Sequence, residues 1–309
     1  MQMSKDKEKP MKILVTGATG LVGRELTKQL IMSGYQVTVV SRKKNKAMAA
    51  LPGVTEVIEC NLSKEKIAAD LNQFEGVIHL MGESVASGRW NEKRKKEIYN
   101  SRILSTKNLV ESFSRAPKFF ISASAIGIYG ERGDEILHED SELGTDFLAK
   151  VCVDWEKEAK MIHLRPQGNL TRSVQLRTGL VLSNHGGALA KMLPAFRLGM
   201  GGALGDGRHW MSWIHLQDLV RIICFAIENP EVAGALNAVS AAPERNIDFS
   251  KKLAKTLNRT LGPRIPRFAL KLLFGEMATI LLSSQNVSSK KIGEYGFKFN
   301  YQALEDALK

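Results

Sequence analysis

Short apolar runs and longer amphipathic runs alternate along the chain from Met11 onward. Ile13-Leu14-Val15 reads as a buried strand ending in a glycine-rich turn, and Leu21 to Met32 as a helix stopped by Gly34. Gln36 to Val40 is a second strand, rich in β-branched residues. Val57 to Cys60 predicts a third, Gly76 to Met81 a fourth, Lys118 to Ala123 a fifth and Val174 to Leu182 a sixth. Glu92 to Phe113 predicts one long polar helix, and Asp146 to about Met161 another. Strands that alternate with helices predict βαβ units, and hence an α/β fold with a Rossmann-type doubly wound parallel sheet. The brevity of the apolar runs fits strands covered on both faces.

Beyond Leu182 the texture changes. Five glycines fall between Gly199 and Gly207, with Trp210 and Trp213 just behind. That is a long loop over a site, or the start of a smaller second lobe. Asn246 to Leu308 is mostly helical in pattern, punctuated by Pro263 and Pro266. Its most apolar stretch, Leu270 to Leu282, carries Lys271, Gly275 and Glu276. A membrane-spanning helix needs about 20 mostly apolar residues, so this stretch predicts a core helix. The division that follows is residues 1–10 as a disordered lead-in and 11–182 as the doubly wound domain, with 210–240 returning to it. Residues 183–309 form a smaller α/β substrate lobe that ends in a helical module over 258–309.

Composition narrows the class. Hydrophobic residues make up 44% and charged residues 25%, which excludes a disordered chain. The polar start MQMSKDKEKP is no signal peptide. Cys60, Cys152 and Cys224 are too few and too scattered for a disulfide framework or a metal site, so a cytoplasmic setting without a metal is expected. The 44 Lys/Arg against 32 Asp/Glu give +12, which asks for an anionic partner. The densest run, Lys93-Arg94-Lys95-Lys96, has Glu92 and Glu97 beside it and no interleaved aromatics. It reads as a solvated face rather than a nucleic-acid patch. Neither nucleic acid nor membrane is expected as partner. With no long heptad seam, a monomer or homodimer is expected.

A small phosphorylated ligand remains, and Val15-Thr16-Gly17-Ala18-Thr19-Gly20-Leu21-Val22-Gly23 supplies a place for it. G-x-x-G-x-x-G is weak alone, but here it follows the first strand and opens the first helix. Gly17 permits the tight turn, Gly20 lets backbone approach a pyrophosphate, and Gly23 lets helix and strand pack closely. The helix N-terminus offers free N–H groups to the anion. A dinucleotide site for NAD places an acid about 20 residues on, for the ribose 2′-hydroxyl. Here the second strand ends Val40-Ser41-Arg42-Lys43-Lys44. An arginine grips a 2′-phosphate that a carboxylate would repel, so NADP(H) is expected over NAD(H). The competing reading is an ordinary solvated basic loop.

With these residues in view, the chain resembles an atypical extended-type short-chain dehydrogenase/reductase, more narrowly the epimerase family of nucleoside-diphosphate-sugar-epimerase-like proteins with a C-terminal helical domain of unknown function. The likeness runs from Met11 to the C-terminus. It rests on TGATGLVG (16–23), HLMGESVASGRW (79–90), Asn100 to Thr106, ISASAIGIYG (121–130), DFLAKVCVDWEKEA (146–159), RTGLVLSNHGGALAKML (177–193), SWIHLQDL (212–219) and the tail 272–291. The resemblance implies that Gly17, Thr19, Gly20, Leu21 and Val22 line the pyrophosphate. It sets Ser41, Arg42 and Lys43 by the adenosine phosphate and Asn61 and Leu62 by the adenine. Leu80, Met81 and Gly82 would back the ribose, and Ser122 and Ser124 would reach the nicotinamide side. It also implies a small-molecule substrate of the nucleotide-sugar kind.

Members of the larger superfamily use a Tyr and a Lys spaced Y-x-x-x-K, the Tyr moving a proton while the nicotinamide moves hydride. Aligned on Glu156, those positions here are Leu148 and Cys152. Lys150 lies two residues off, about 200° around a helix from Cys152. Ser124 and Tyr129 remain as catalytic candidates. For Ser124 the other reading is a hydroxyl that only binds the nicotinamide amide; for Tyr129 it is a packed tyrosine beside Gly130. Glu83, Arg177 and Arg208 are substrate candidates, with Glu83 as a proton acceptor or a loop cap. His185, His209 and His215 are candidate bases, though His215 reads better as structural, with Asp218 capping the next helix. Cys152 is a reactive thiol or, more simply, a buried inert one. Two functions stand: an NADP(H)-dependent oxidoreductase or sugar-nucleotide epimerase with a non-standard proton donor, or an NADP(H)-binding sensor or scaffold without turnover.

Overall fold

The computed structural model describes residues 10–309. The expected lead-in, 1–10, lies outside the described residues except for Pro10. The elements run in order β1 (Lys12–Thr16), α1 (Leu21–Met32), β2 (Gln36–Ser41), α2 (Lys44–Ala50), β3 (Glu56–Glu59), β4 (Gly76–His79), α3 (Glu92–Asn100), α4 (Ile103–Glu111) and β5 (Phe119–Ala125). Then come β6 (Ile136–Leu137), α5 (Phe147–Lys160), β7 (Arg172–Thr178), β8 (Leu180–Leu182), α6 (Gly187–Arg197), β9 (Trp210–Met211), β10 (Trp213–His215), α7 (Leu216–Glu228) and β11 (Gly234–Ala238). The chain closes with β12 (Glu244–Arg245), α8 (Asn246–Thr256), α9 (Arg267–Phe274), α10 (Ala278–Leu282), β13 (Asn286–Val287), α11 (Lys290–Glu294) and α12 (Leu304–Ala307).

Seven strands form one parallel sheet in the order β11-β7-β5-β4-β1-β2-β3. The α/β doubly wound fold expected from the alternating pattern is the fold found. Successive residues of β1 serve opposite faces, as strand geometry requires. Ile13 and Val15 join Leu26 and Leu30 of α1 and Ile222 and Ile223 of α7 in one core. Leu14 joins Leu109 and Val110 of α4 and Ala159 of α5 in the other. A third apolar cluster gathers Leu182, Leu193, Phe196, Trp213, Phe249 and Leu304 away from the sheet. The glycine-rich stretch 199–207 packs closely on its neighbours: a Cβ on Gly201 would sit 2.3 Å from the Phe196 ring of this cluster, and one on Gly202 1.8 Å from the Pro263 carbonyl oxygen.

Three elements differ from expectation. The long polar helix is two, because the chain turns at Ser101-Arg102. Ser101 Oγ accepts from Glu83 N at 3.1 Å, and Arg102 reaches the Glu83 carbonyl at 3.0 Å. The sixth strand is also two. Backbone at Gly179 passes Ser212 so closely that a Cβ would lie 2.6 Å from its carbonyl oxygen, and β8 leaves the main sheet to pair with β10. The supposed core helix over Leu270 to Leu282 breaks at Gly275, whose φ of +62° suits glycine. Leu270 is buried there, while Leu272 is 74% exposed. Among the described residues, no helix is long and apolar enough to cross a membrane.

Candidate functional site

After β1 the chain winds toward β2, and after β4 it winds the other way, toward β5. Ligands in open α/β sheets bind beyond the carboxyl ends of strands at such a switch point. A cleft of about 790 Å³ opens there, floored by Gly17, Thr19 and Gly20 and by Leu80, Met81 and Gly82. Gly17 has φ +71°, and a Cβ on it would approach the Leu80 carbonyl oxygen to 2.6 Å. A Cβ on Gly23 would meet the Gly17 oxygen at 2.3 Å. Neither position tolerates a side chain without moving backbone. Gly20 caps α1 without a side chain, and no acid stands in the first turn. The N–H groups of Leu21, Val22 and Gly23 therefore have no intrahelical acceptor, at the positive end of the helix dipole. Leu21 and Val22, half-buried on the first turn of α1, are not among the residues lining the cleft.

Ser41, Arg42, Asn61, Leu62 and Lys64 form the wall on the β2 side. Arg42 is 63% exposed at the side chain, with Nη2 3.8 Å from Glu83 Oε1. Lys43 is exposed and bonds Ser41 Oγ through its backbone N–H at 3.3 Å. Asn61 Oδ1 is buried without a hydrogen-bond partner. A buried acceptor left unpaired is costly, and an adenine amino group is the kind of donor that relieves it. Cradle, helix end, basic rim and orphaned acceptor thus suit an adenine dinucleotide.

The opposite wall comes from α3, with Lys93, Arg94, Lys96, Glu97 and Asn100, and from Ser101 in the turn after it. Lys93 and Lys96 are exposed, so the basic run does present a solvated face, and that face borders the cleft. Only Lys95 turns away, pairing with Glu276 at 2.6 Å over the Phe147 ring. Sequence reasoning missed Lys64 and these residues as cleft residues, although four cations at a helix N-terminus, against its dipole, were a signal.

The remaining candidates are not on the cleft surface. Ser122 is buried in β5. Ser124 donates to Glu156 Oε1 at 2.8 Å. Arg177 meets both Glu156 oxygens, at 2.9 and 3.0 Å, and reaches the Tyr129 hydroxyl at 3.0 Å. Tyr129, 0% exposed, donates to Asn237 Oδ1 at 2.6 Å. Burial raises the Tyr129 phenol, with Arg177 pulling the other way. Burial opposes the charge on Arg177, but the Glu156 carboxylate outweighs it and holds the guanidinium above its ordinary value. Ser124, Tyr129 and Arg177 therefore form one closed polar network with Glu156, in which each named group already has its partners. Glu156 was used only as an alignment anchor; a carboxylate among the buried Cys152, Trp155 and Ala159 of α5 was the available sign.

Burial pushes the Cys152 thiol up to about 12, more than the nearby Arg102 pulls it down, which makes it inert. Leu148 packs near Gly127. Arg208 is exposed, its backbone N–H on Asp206 Oδ1. His209 is buried, and burial lowers its pKa to about 4. His185 has its backbone N–H on Ser183 Oγ. The capping assignment at α7 is corrected: the His215 ring accepts from Gln217 N, while Asp218, buried, accepts from Asn300 N and Tyr301 N. A further polar chain escaped the sequence reading. His79, fully buried, links Thr16 Oγ1 at 2.6 Å to Thr106 Oγ1 at 2.9 Å, and burial lowers its pKa to about 3.

Sheet order, glycine turn and switch-point cleft define a dinucleotide-binding protein of the Rossmann class, and the described chain carries an NAD(P)-binding epimerase-family fold. Residues 13–240 match the NAD-dependent epimerase/dehydratase family and 265–309 a domain of unknown function, DUF1731; the chain belongs to that epimerase family. It is 36% identical to the chloroplastic epimerase family protein SDR39U1 homolog of Arabidopsis thaliana, over 99% of this chain and 88% of that one. The crystal structure of human epimerase family protein SDR39U1 (isoform 2) with NADPH matches with a TM-score of 0.86 at 32% identity, covering 97% of this chain and 98% of the human one. A nucleoside-diphosphate sugar epimerase from Corynebacterium glutamicum matches with a TM-score of 0.76 at 34% identity, over 97% of this chain and 57% of that one.

Proposed function

We propose that this protein binds NADP(H), in preference to NAD(H), in the cleft at the switch point. The observation that carries the reading is Arg42 on the cleft rim directly after β2, where an acid would serve a free ribose 2′-hydroxyl. The human relative crystallised with NADPH supports it. When bound, the cofactor supplies hydride transfer. The chain's own residues bind and orient: the α1 N-terminus holds the pyrophosphate, Arg42 the 2′-phosphate, and Asn61 the adenine. Ser122 and Ser124 sit on β5, toward the nicotinamide end. The substrate lobe, 183–309, would take a small molecule of the nucleotide-sugar kind, as the Corynebacterium relative's name suggests.

A second reading, an NADP(H) sensor or scaffold without turnover, is favoured by one feature. Leu148 and Cys152 replace the superfamily's Tyr and Lys, and Ser124 and Tyr129 are committed to buried partners. Turnover across a panel of aldehydes, ketones and nucleotide-sugars selects the oxidoreductase or epimerase; tight NADPH binding with no turnover selects the sensor. The cofactor assignment has its own test. Arg42→Asp should reverse the preference between NADPH and NADH, with NADPH weakened by at least about tenfold, as expected for loss of a charge-assisted phosphate contact plus a new repulsion. Equal affinities before and after the exchange, measured by calorimetry, would remove Arg42 from the site.

A further inference from the structure

The cleft carries more positive charge than its carboxylates neutralise. Of its cations, Arg42 lies 3.8 Å from Glu83 and Arg94 pairs with Glu97 at 3.0 Å. Lys64, Lys93 and Lys96 line the same cleft, and none has a carboxylate within 4.0 Å among the described residues. Lys93 and Lys96 are three apart on α3, and so share one face. The intervening Lys95 is the one that leaves the cleft, for Glu276. Sheet order sets the geometry: Arg42 follows β2 and α3 follows β4, the strands on either side of β1. The two basic walls flank the glycine turn, and the Arg42–Glu83 contact bridges them.

Local physics argues against these lysines as helix formers. Lys93 and Lys96 fall in the first turn and a half of α3, where the helix dipole repels cations. Asn91 caps the helix and Glu92 suits its first turn, so the N-terminus is otherwise well made. Two cations in the first turns of a helix, on the surface of a cleft and with no carboxylate within 4.0 Å among the described residues, leave room for a ligand charge as the compensation.

We propose that Lys93 and Lys96 are the second jaw of the 2′-phosphate site, closing on that group from the α3 wall while Arg42 holds it from the β2 wall. The inference rests on the NADP(H) reading and extends it to specificity. A 2′-phosphate placed between the jaws takes Arg42 from Glu83 and neutralises the two free ammonium groups. The pyrophosphate, held by the α1 N-terminus, lies on the floor of the cleft, so NADH gains little from the lysines at physiological ionic strength, where screening acts over about 8 Å.

The test measures Kd for NADPH and NADH by calorimetry at physiological salt, on the full chain and on Lys93→Ala combined with Lys96→Ala. The expected result is NADPH about tenfold weaker in the double variant, NADH unchanged. Without ligand the variant should melt at the same temperature or higher, because the dipole repulsion is gone, while the NADPH-induced rise in Tm shrinks. A Lys93→Gln, Lys96→Gln pair should behave the same way if charge is what matters. Unchanged NADPH affinity in the variant overturns the inference and leaves the Arg42 reading standing. An equal loss for NADPH and NADH also overturns it, assigning the lysines to the shared part of the dinucleotide. A full chain that binds NADPH no better than NADH defeats the NADP(H) reading itself, and the inference falls with it.

Discussion

His79, buried completely, ends β4 directly before Leu80 of the cleft floor. His79 stands opposite Thr16 in the β1–β4 register and joins it to Thr106 of α4, so two strands and a helix share one neutral imidazole. Burial lowers its pKa to about 3 from an ordinary 6.5. The folded chain therefore keeps His79 unprotonated in a range where the unfolded chain binds a proton. Its stability contribution is full above about pH 6.5 and is lost as pH falls toward 3. His209, lowered to about 4 by burial, acts in the same direction. Between roughly pH 6 and 4 each contributes a slope of about 1.4 kcal/mol per pH unit. His79→Gln should remove one of the two, so that stability measured by urea unfolding falls less steeply on acidification. An unchanged slope in the variant would show that His79 is not the titrating group. His79 was legible only as part of a strand, because burial of a polar side chain between two hydroxyls is a tertiary fact. The close packing at Gly23, by contrast, was legible, because its contacts with Gly17 and Ala18 lie within one βαβ unit, whereas Gly17 also passes Leu80 beyond β4, which the local turn does not announce.

Between elements, the Ser124–Glu156–Arg177–Tyr129 network does what no single strand or helix does. Ser124 is on β5, Glu156 on α5, Arg177 on β7, and Tyr129 bonds Asn237 of β11. Four elements at the carboxyl edge of the sheet are thereby tied together. The side chains of Arg177 and Glu156 are 6% and 5% exposed. Removing one partner of such a pair leaves an uncompensated buried charge, which typically costs about 3–5 kcal/mol. Arg177→Met should lower the Tm accordingly, as read by thermal unfolding. A Tm within a degree or two of the parent would mean that the pair is not formed in solution. Element-scale reading from sequence succeeded for β1, α1, β2 and α5, whose patterns are local. It failed at Ser101-Arg102, Gly179 and Gly275, where the chain is broken by contacts with Glu83, by contact with Ser212, and by a positive φ. The catalytic roles expected of Ser124 and Tyr129 came from the position of β5 relative to known chemistry, and that position says nothing about Glu156 reaching across.

At the scale of the whole molecule, the C-terminal region is stitched back onto the sheet domain at several points. β13 pairs with β6, Asn237 donates to Ser288 O, and Ile292 and Phe297 enter the sheet-side core. Leu304, Ala307 and Leu308 fill the third cluster around Trp213. The strongest stitch is Asp218 of α7, 1% exposed at its side chain. It receives Asn300 N at 3.0 Å, Tyr301 N at 2.9 Å and Arg221 at 2.6 Å. The same region holds 12 of the Lys/Arg and 6 of the Asp/Glu, within residues 241–309. Several of those cations are locally paired, among them Lys252 with Glu244 and Glu305. The region still carries a net excess of positive charge, and Arg259, Arg264, Arg267 and Lys271 have no carboxylate within 4.0 Å among the described residues, so unpaired cations lie here as well as at the cleft. Because Asp218 is an acceptor for backbone rather than a helix cap, its loss should act on the tail more than on α7. In Asp218→Ala the N–H groups of Asn300 and Tyr301 lose their acceptor, and Arg221 loses its ion partner. Amide hydrogen exchange over 298–309 should accelerate by an order of magnitude or more, given about 1–3 kcal/mol for each buried donor left unpaired. Exchange in β1, β4 and β5 should stay near the parent's, and so should NADPH affinity, since none of the cleft residues touches Asp218. Faster exchange throughout α7 with a protected tail would instead restore Asp218 as the cap and leave the C-terminal module held by its apolar contacts alone.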